Sequence, residues 1–386
     1  MKNSKLFLNF ALKQRKMVRG MKTRVFRQFI YIMVLAVAGC TLVSCKEKPM
    51  SVDEIYKNDA SGVVLIMNRY YYAMNVAGAV VYFTGIDENG ELANLTDDIN
   101  EITRNSAVVF GTGFFVSRDG NILTNRHVVR PEMDKAVVRT VLAKQLVRIK
   151  SLFAALRDAA EEHYNQTYYQ GIYSGFVDGD RLAELRESFE EYDETVGKIE
   201  NIDLSDIRIA VSCRVGIAYN GDRVSSPGDF SECTVTKVSG VDDVDLAVIR
   251  LNSGKTPKGC YVFHFQSGTK GKRTLLETYW QRIRRDYKGR KLKTGTQLCM
   301  IGFNHGPQLA QTSDGLKSQI TIGNILQDPD DVRIMYSIPL LEGSSGSPVL
   351  NMYGDVVGVN FAKLQGKTSF NFGIPAKKVK EFLGIE

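Results

Sequence analysis

At 386 residues, 44% hydrophobic and 24% charged, the chain can hold one large or two ordinary domains, and it lacks the low-complexity tracts and internal repeats of disordered or fibrous proteins. Its formal net charge of +7 raises the question of a nucleic-acid partner. Nine Lys/Arg and no acid lie within residues 1–44, however, which leaves the rest of the chain at −2. The basic balance belongs to the leader, and no nucleic-acid partner is expected.

Residues 1–45 read as an export leader. A cationic region precedes the apolar run Phe29–Ala38, which is shorter than the roughly 20 residues a membrane span needs. Val37-Ala38-Gly39-Cys40 and Leu42-Val43-Ser44-Cys45 both resemble a bacterial lipobox. Cys45 is the favoured lipid site because the polar Lys46-Glu47-Lys48 begins directly after it. An uncleaved N-terminal anchor is the alternative. Either way the body is expected outside the cytoplasm and tethered to the membrane; in the favoured case it is lipid-anchored in the bacterial cell envelope, with the body in the periplasm or at the surface.

Residues 46–60 read as a tether with a short amphipathic opening. Ser61–Met67 is a compact apolar run, the first expected strand. Residues 79–105 are less regular, with a turn at Asp87–Glu91. Val108–Val116 and Asn121–Asn125, joined through Asp119-Gly120, form the clearest hairpin of the chain. It runs into Arg126-His127-Val128-Val129.

From about Asp134 to Ile199 apolar residues recur at helical spacing, broken at Gly175–Gly179. This predicts a helical insertion, about 131–205. Strand patterning returns at Ile207–Ala218, Glu232–Val238 and Leu246–Leu251. A basic insertion follows, about 265–295, in which Lys270–Lys293 holds ten Lys/Arg against Glu277 and Asp286. Short strands with Gly/Asp turns resume from Gln297, and an amphipathic helix closes the chain after Pro375. Many short strands with such turns point to barrels or a sandwich.

The chemistry gathers at three places. Gly343-Ser344-Ser345-Gly346-Ser347-Pro348 puts a hydroxyl in a turn flanked by glycines, which suits a nucleophile whose neighbouring N–H groups face an oxyanion. Any surface turn has a similar composition, so the turn needs a base and an acid elsewhere. Of the four histidines, His127 alone closes a strongly patterned hairpin; His163 lies in the helical insertion, and His264 and His305 lie at or beside loops. Asp245 stands at the head of an apolar strand, while Asp242 and Asp243 belong to the turn before it. The order His127, Asp245, Ser345 is that of chymotrypsin-like barrels and differs from those of subtilisins and α/β-hydrolases. No two histidines share ligand spacing, so no metal is expected. Cys213, Cys233, Cys260 and Cys299 lack CxxC pairing; disulfides and buried thiols both remain open.

These residues together resemble a trypsin-like serine protease of the HtrA/Deg kind. Gly111-Thr112-Gly113-Phe114-Phe115-Val116 with Thr124-Asn125-Arg126-His127-Val128-Val129, Asp245-Leu246-Ala247-Val248, Gly343–Pro348 and Phe372-Gly373-Ile374-Pro375 carry the resemblance. It implies a mainly β fold of two six-stranded antiparallel β-barrels. The first spans about 61–252 around the helical insertion, the second about 296–374, and a C-terminal helix covers 375–386. It also implies His127 as general base, Asp245 as its orienting acid and Ser345 as nucleophile, with Gly343 and Ser345 N–H groups forming the oxyanion hole. Pro339, Asn360, Phe361 and Ala362 would line the primary substrate pocket, for a small or medium apolar residue. The expected function is an endopeptidase working through an acyl-enzyme, without cofactor, on protein or peptide substrates in envelope quality control or processing. The resemblance leaves room for a homo-oligomer, and no PDZ domain is expected after the protease motifs. The alternative is a latent scaffold or stress sensor whose insertion binds a partner or gates the cleft.

Overall fold

The structure is a computed structural model that describes residues 49–205, 207–265, 292–363 and 370–385. Cys40, Cys45 and most of the basic insertion lie outside the described residues. Among the described residues no helix is long and apolar enough to cross a membrane.

The stretch read as a tether carries a helix, α1 (Val52–Asp59). Ser51 and Glu54 form a reciprocal capping box at its start, satisfying two backbone donors. Ile55 is fully buried, Tyr56 Oη donates to the Ser318 carbonyl at 2.7 Å, and Met50 N donates to the Met352 carbonyl at 2.7 Å. Residues 50–59 are thus docked on the body of the fold. Asp59 ends the helix 3% exposed, with Oδ2 lacking a partner among the described residues, and burial pushes its carboxyl up to about 6. A carboxyl raised in the fold costs nothing below its ordinary value of 3.8; the cost grows as pH rises and is complete above about 6. Asp59→Asn is therefore expected to raise Tm at pH 7.5, by at most about 3 kcal/mol of stability, with the gain fading by pH 4. An equal gain at both pH values would assign the effect to something other than the buried charge.

The first half continues with β1 (Val63–Val76), β2 (Ala79–Phe83), the two-residue strands β3 (Gly85–Ile86) and β4 (Leu92–Ala93), α2 (Ile99–Arg104), β5 (Ala107–Phe115), β6 (Asn121–Thr124) and the single turn α3 (Arg126–Val129). The helical hairpin α4 (Lys135–Ser174) and α5 (Gly179–Glu200) comes next, then β7 (Arg208–Tyr219), β8 (Ser231–Val238) and β9 (Ala247–Leu251). The second half comprises β10 (Gln297–Gly302), α6 (Pro307–Ala310), β11 (Gln311–Thr312), β12 (Gly315–Leu316), β13 (Gln319–Asn324), β14 (Ile334–Tyr336), β15 (Pro348–Asn351), β16 (Val356–Lys363), β17 (Asn371–Pro375) and α7 (Ala376–Leu383).

Six antiparallel strands, β1-β5-β6-β9-β8-β7, close back on β1 as a barrel, and β2 extends β1 outside it. The other sheet runs β13-β10-β15-β16-β17-β14. Among the described residues its edges meet at the single Ile325–Tyr336 bridge, so the second expected barrel is a half-barrel.

Residues 63–67 read as a continuous apolar run because both faces of β1 are covered. Val63, Leu65 and Met67 face a cluster shared with Phe303, Leu350 and Ile374 of the second sheet. Val64 and Ile66 face the first barrel's own core with Ile122, Val128 and Ile249. The helical hairpin is rooted by Val138, Val141 and Leu142 on Tyr72, Met74 and Phe83. Asp134 and Asp178 cap its two helices, and Gly175 (φ +76°) supplies the left-handed residue that ends α4.

Candidate active site

His127 and Asp245 meet because β6 and β9 are neighbours. Thr124 pairs with Ala247, so the turn after β6 and the turn before β9 emerge at the same end of the barrel. Asn125 Nδ2 donates to the Asp245 carbonyl at 2.7 Å and ties the two turns together. Asp245 then grips His127 twice. Its Oδ2 lies 2.5 Å from Nδ1, and its Oδ1 accepts the His127 backbone N–H at 3.0 Å. The aspartate side chain is 17% exposed while the imidazole is 44% exposed, so the pair has a shielded anchor and an open working edge. Asp242 and Asp243 are exposed in the preceding turn.

Ser345 reaches this place through Thr112 of β5. The Thr112 N–H donates to the Ser345 carbonyl at 2.8 Å, and Thr112 Oγ1 donates to the Gly343 carbonyl at 2.7 Å while accepting the Phe303 N–H at 3.0 Å. One threonine thus stitches the Ser345 loop of the second sheet onto the first barrel. Gly346 makes the closest approach: a Cβ there would lie 2.1 Å from the Thr112 carbonyl oxygen and 3.2 Å from the backbone nitrogen of Asn125, two residues before His127. Ser345 is half-buried, and its Oγ makes no hydrogen bond among the described residues. The His–Asp contact is closed and the Ser–His contact is not; such contacts commonly tighten only with substrate bound.

Gly343 and Ser345 N–H groups, the expected oxyanion donors, have no protein acceptor among the described residues. Of the expected pocket residues, Pro339 is exposed and Phe361 half-buried. Ala362 lies on β16, paired with Phe372. Asn360 is buried, its side chain turned onto Tyr336 and Ser344. His163 and His264 are exposed and His305 is half-buried, and among the described residues no three His, Cys, Asp or Glu side chains converge to hold a metal ion. The four described cysteines are free, and burial pushes the Cys233 and Cys299 thiols up to about 12, which leaves them un-ionised and inert at neutral pH.

Residues 208–359 match the family model of the trypsin-like peptidase domain. The match runs from β7 into β16; it contains Asp245 and Ser345 and stops short of His127, on the far side of the helical hairpin. It supports a serine protease hydrolase. Among solved structures, the crystal structure of the serine endoprotease from Yersinia pestis is similar at 14% identity and a TM-score of 0.41, over 88% of this chain and 67% of that one. No curated protein matches in sequence.

Thr112, Asn125 and Tyr336 were not singled out as working residues from the sequence. Thr112 and Asn125 lie within the motifs Gly111–Val116 and Thr124–Val129, but their partners Gly343 and Asp245 lie over a hundred residues away, and no local pattern reports such a pairing.

Proposed function

We propose that this chain is a serine endopeptidase with His127, Asp245 and Ser345 as its catalytic residues. The observation that carries the reading is the Asp245-clamped His127 beside a loop whose Gly343 and Ser345 N–H groups are unengaged. Ser345 Oγ attacks the peptide carbonyl carbon as its proton passes to His127 Nε2. The carbonyl oxygen takes the negative charge and is held by the two N–H groups. Collapse expels the amine, which leaves with the proton from His127, and water then hydrolyses the acyl-enzyme by the same route. Asp245 stabilises the imidazolium at each stage.

Pro339, Asn360, Phe361 and Ala362 carry no charge, which favours a small or medium apolar residue before the scissile bond. The leader and its Cys45 support lipid anchoring in the bacterial envelope and a role there in protein quality control or processing. Purified protein is expected to react with a fluorophosphonate probe at Ser345, to lose labelling in Ser345→Ala while keeping its Tm, and to cleave a peptide library after apolar residues. Labelling that persists in Ser345→Ala would sink the nucleophile, and a profile dominated by charged residues would sink the pocket.

A latent scaffold is the second reading. It is favoured by the tip of the helical hairpin, where Tyr173 is 89% and Phe176 75% exposed, as an interaction surface would be. Labelling only after the hairpin is trimmed or bound would support this reading over a constitutively active enzyme.

A further inference from the structure

The loop that carries Ser345 is held by its carbonyl oxygens. Glu342 O accepts from His305 N at 2.5 Å, Gly343 O from Thr112 Oγ1 at 2.7 Å, and Ser345 O from Thr112 N at 2.8 Å. Ser344 O accepts from Ser347 N at 3.1 Å and from Asn360 Nδ2 at 2.9 Å. In a planar trans peptide the C=O and the following N–H point to opposite sides. A donor on the Ser344 carbonyl therefore sets the direction of the Ser345 N–H, one of the two oxyanion donors.

Asn360 is built for this task. It is 1% exposed, and the β16–β17 register shifts between Asn360 and Ala362, an irregularity of the kind that re-aims a side chain. Its own backbone also holds the loop: Gly346 N donates to Asn360 O at 2.9 Å, and Asn360 N donates to Ser347 O at 3.0 Å. The fully buried Tyr336 donates its hydroxyl to Asn360 Oδ1 at 2.7 Å, sharing the proton with the Phe372 carbonyl at 3.0 Å. Flipping the amide would set Oδ1 against the Ser344 carbonyl, lone pair against lone pair, so only one orientation satisfies all partners. Burial pushes the Tyr336 phenol well above its ordinary value, which keeps the donor protonated at any working pH.

We infer that Tyr336 and Asn360 are positioning residues for the oxyanion hole, Tyr336 orienting the Asn360 amide and Asn360 aiming the Ser345 N–H through the Ser344 carbonyl. This rests on the serine-protease reading above. It gives Asn360 a role in the transition state, beyond the place along the substrate pocket that the resemblance implies.

The test compares the full-length protein with Tyr336→Phe, Asn360→Asp and the double variant. Asn360→Asp removes the donor at almost constant shape and is expected to lower kcat about 10²-fold, within the range for losing an oxyanion donor, with KM within twofold. Tyr336→Phe is expected to lower kcat about tenfold by the same route. The double variant should fall no further than Asn360→Asp, because Tyr336 acts only through Asn360. A peptidyl boronate, which forms a tetrahedral adduct, should weaken in step with kcat, while a non-reactive product peptide binds unchanged. Should Asn360→Asp fail to fold, the single hydroxyl of Tyr336→Phe is read alone against the same boronate and peptide pair. An unchanged kcat in a folded variant, or equal weakening of boronate and product peptide, overturns the inference. A wild-type protein that never labels with fluorophosphonate overturns the protease reading instead.

Discussion

Replacing Asp245 by Asn is expected to lower kcat about 10⁴-fold with little change in KM or Tm, the size of effect seen for this position in other serine proteases. The reason lies in the double grip on His127. Asp245 Oδ1 accepts the His127 backbone N–H, and Oδ2 faces Nδ1 at 2.5 Å. An asparagine must turn its oxygen to that backbone N–H, which leaves its NH₂ against Nδ1. The imidazole is then forced into the tautomer protonated at Nε2, and a protonated Nε2 cannot take the proton of Ser345. Steady-state kinetics on any cleaved peptide gives the answer, and a kcat within tenfold of wild type would remove Asp245 from the mechanism. The fold should survive, because the amide keeps the shape of the carboxylate and the Asn125 Nδ2 bond goes to the backbone of residue 245.

Gly346→Ala is expected to damage stability and chemistry together. Gly346 has φ +87°, and its missing Cβ would lie 2.1 Å from the Thr112 carbonyl oxygen and 2.5 Å from Thr124 Oγ1. The left-handed backbone alone costs an alanine about 1–2 kcal/mol. The clash is with backbone on β5, which cannot rotate away as a side chain could. Relief requires the nucleophile loop to lift from the first barrel, breaking the bond from Thr112 N to Ser345 O. A loss of at least about 3 kcal/mol and a Tm lower by about 10 °C are expected, with fluorophosphonate labelling more than tenfold slower. Gly85→Ala is the control, since a Cβ there meets nothing within 4 Å. Equal effects of the two substitutions would show that the seam between the sheets is not what Gly346 protects.

Much of the fold was legible because its signals are local. The Asp119-Gly120 turn, with Gly120 at φ +78°, joins β5 to β6 as its sequence predicts. The helical spacing and the Gly175–Gly179 break give α4 and α5, whose capping residues Asp134 and Asp178 sit next to the helices they cap. The apolar run predicts a first strand ending near Met67, but β1 runs to Val76, because Asn68–Val76 is held by pairing with β7 and β2, and polar and aromatic residues there show no apolar run. Asp98 caps α2 in a stretch that looked irregular, since six residues are too few for a helical period to show. Residues 50–59 looked like a tether for a similar reason. Only the docking of Ile55 and Tyr56 on distant elements makes them part of the body.

The nucleophile turn Gly343–Pro348, the histidine at the end of the first hairpin and the aspartate at the head of a strand were all readable from residue type and order. Those features are short-range: glycines that a tight turn requires, a strand's alternation, a turn's composition. Tertiary structure alone decided that His127 and Asp245 share two contacts, that Thr112 ties the Ser345 loop to the first barrel, and that the Asn360 side chain bonds to Ser344 and Tyr336. Each of these is a hydrogen bond whose worth depends on burial and on a partner brought close by sheet pairing, as Ser344 and Asn360 are by β15 and β16. A linear sequence displays the groups that can make such bonds; only packing chooses which of them meet.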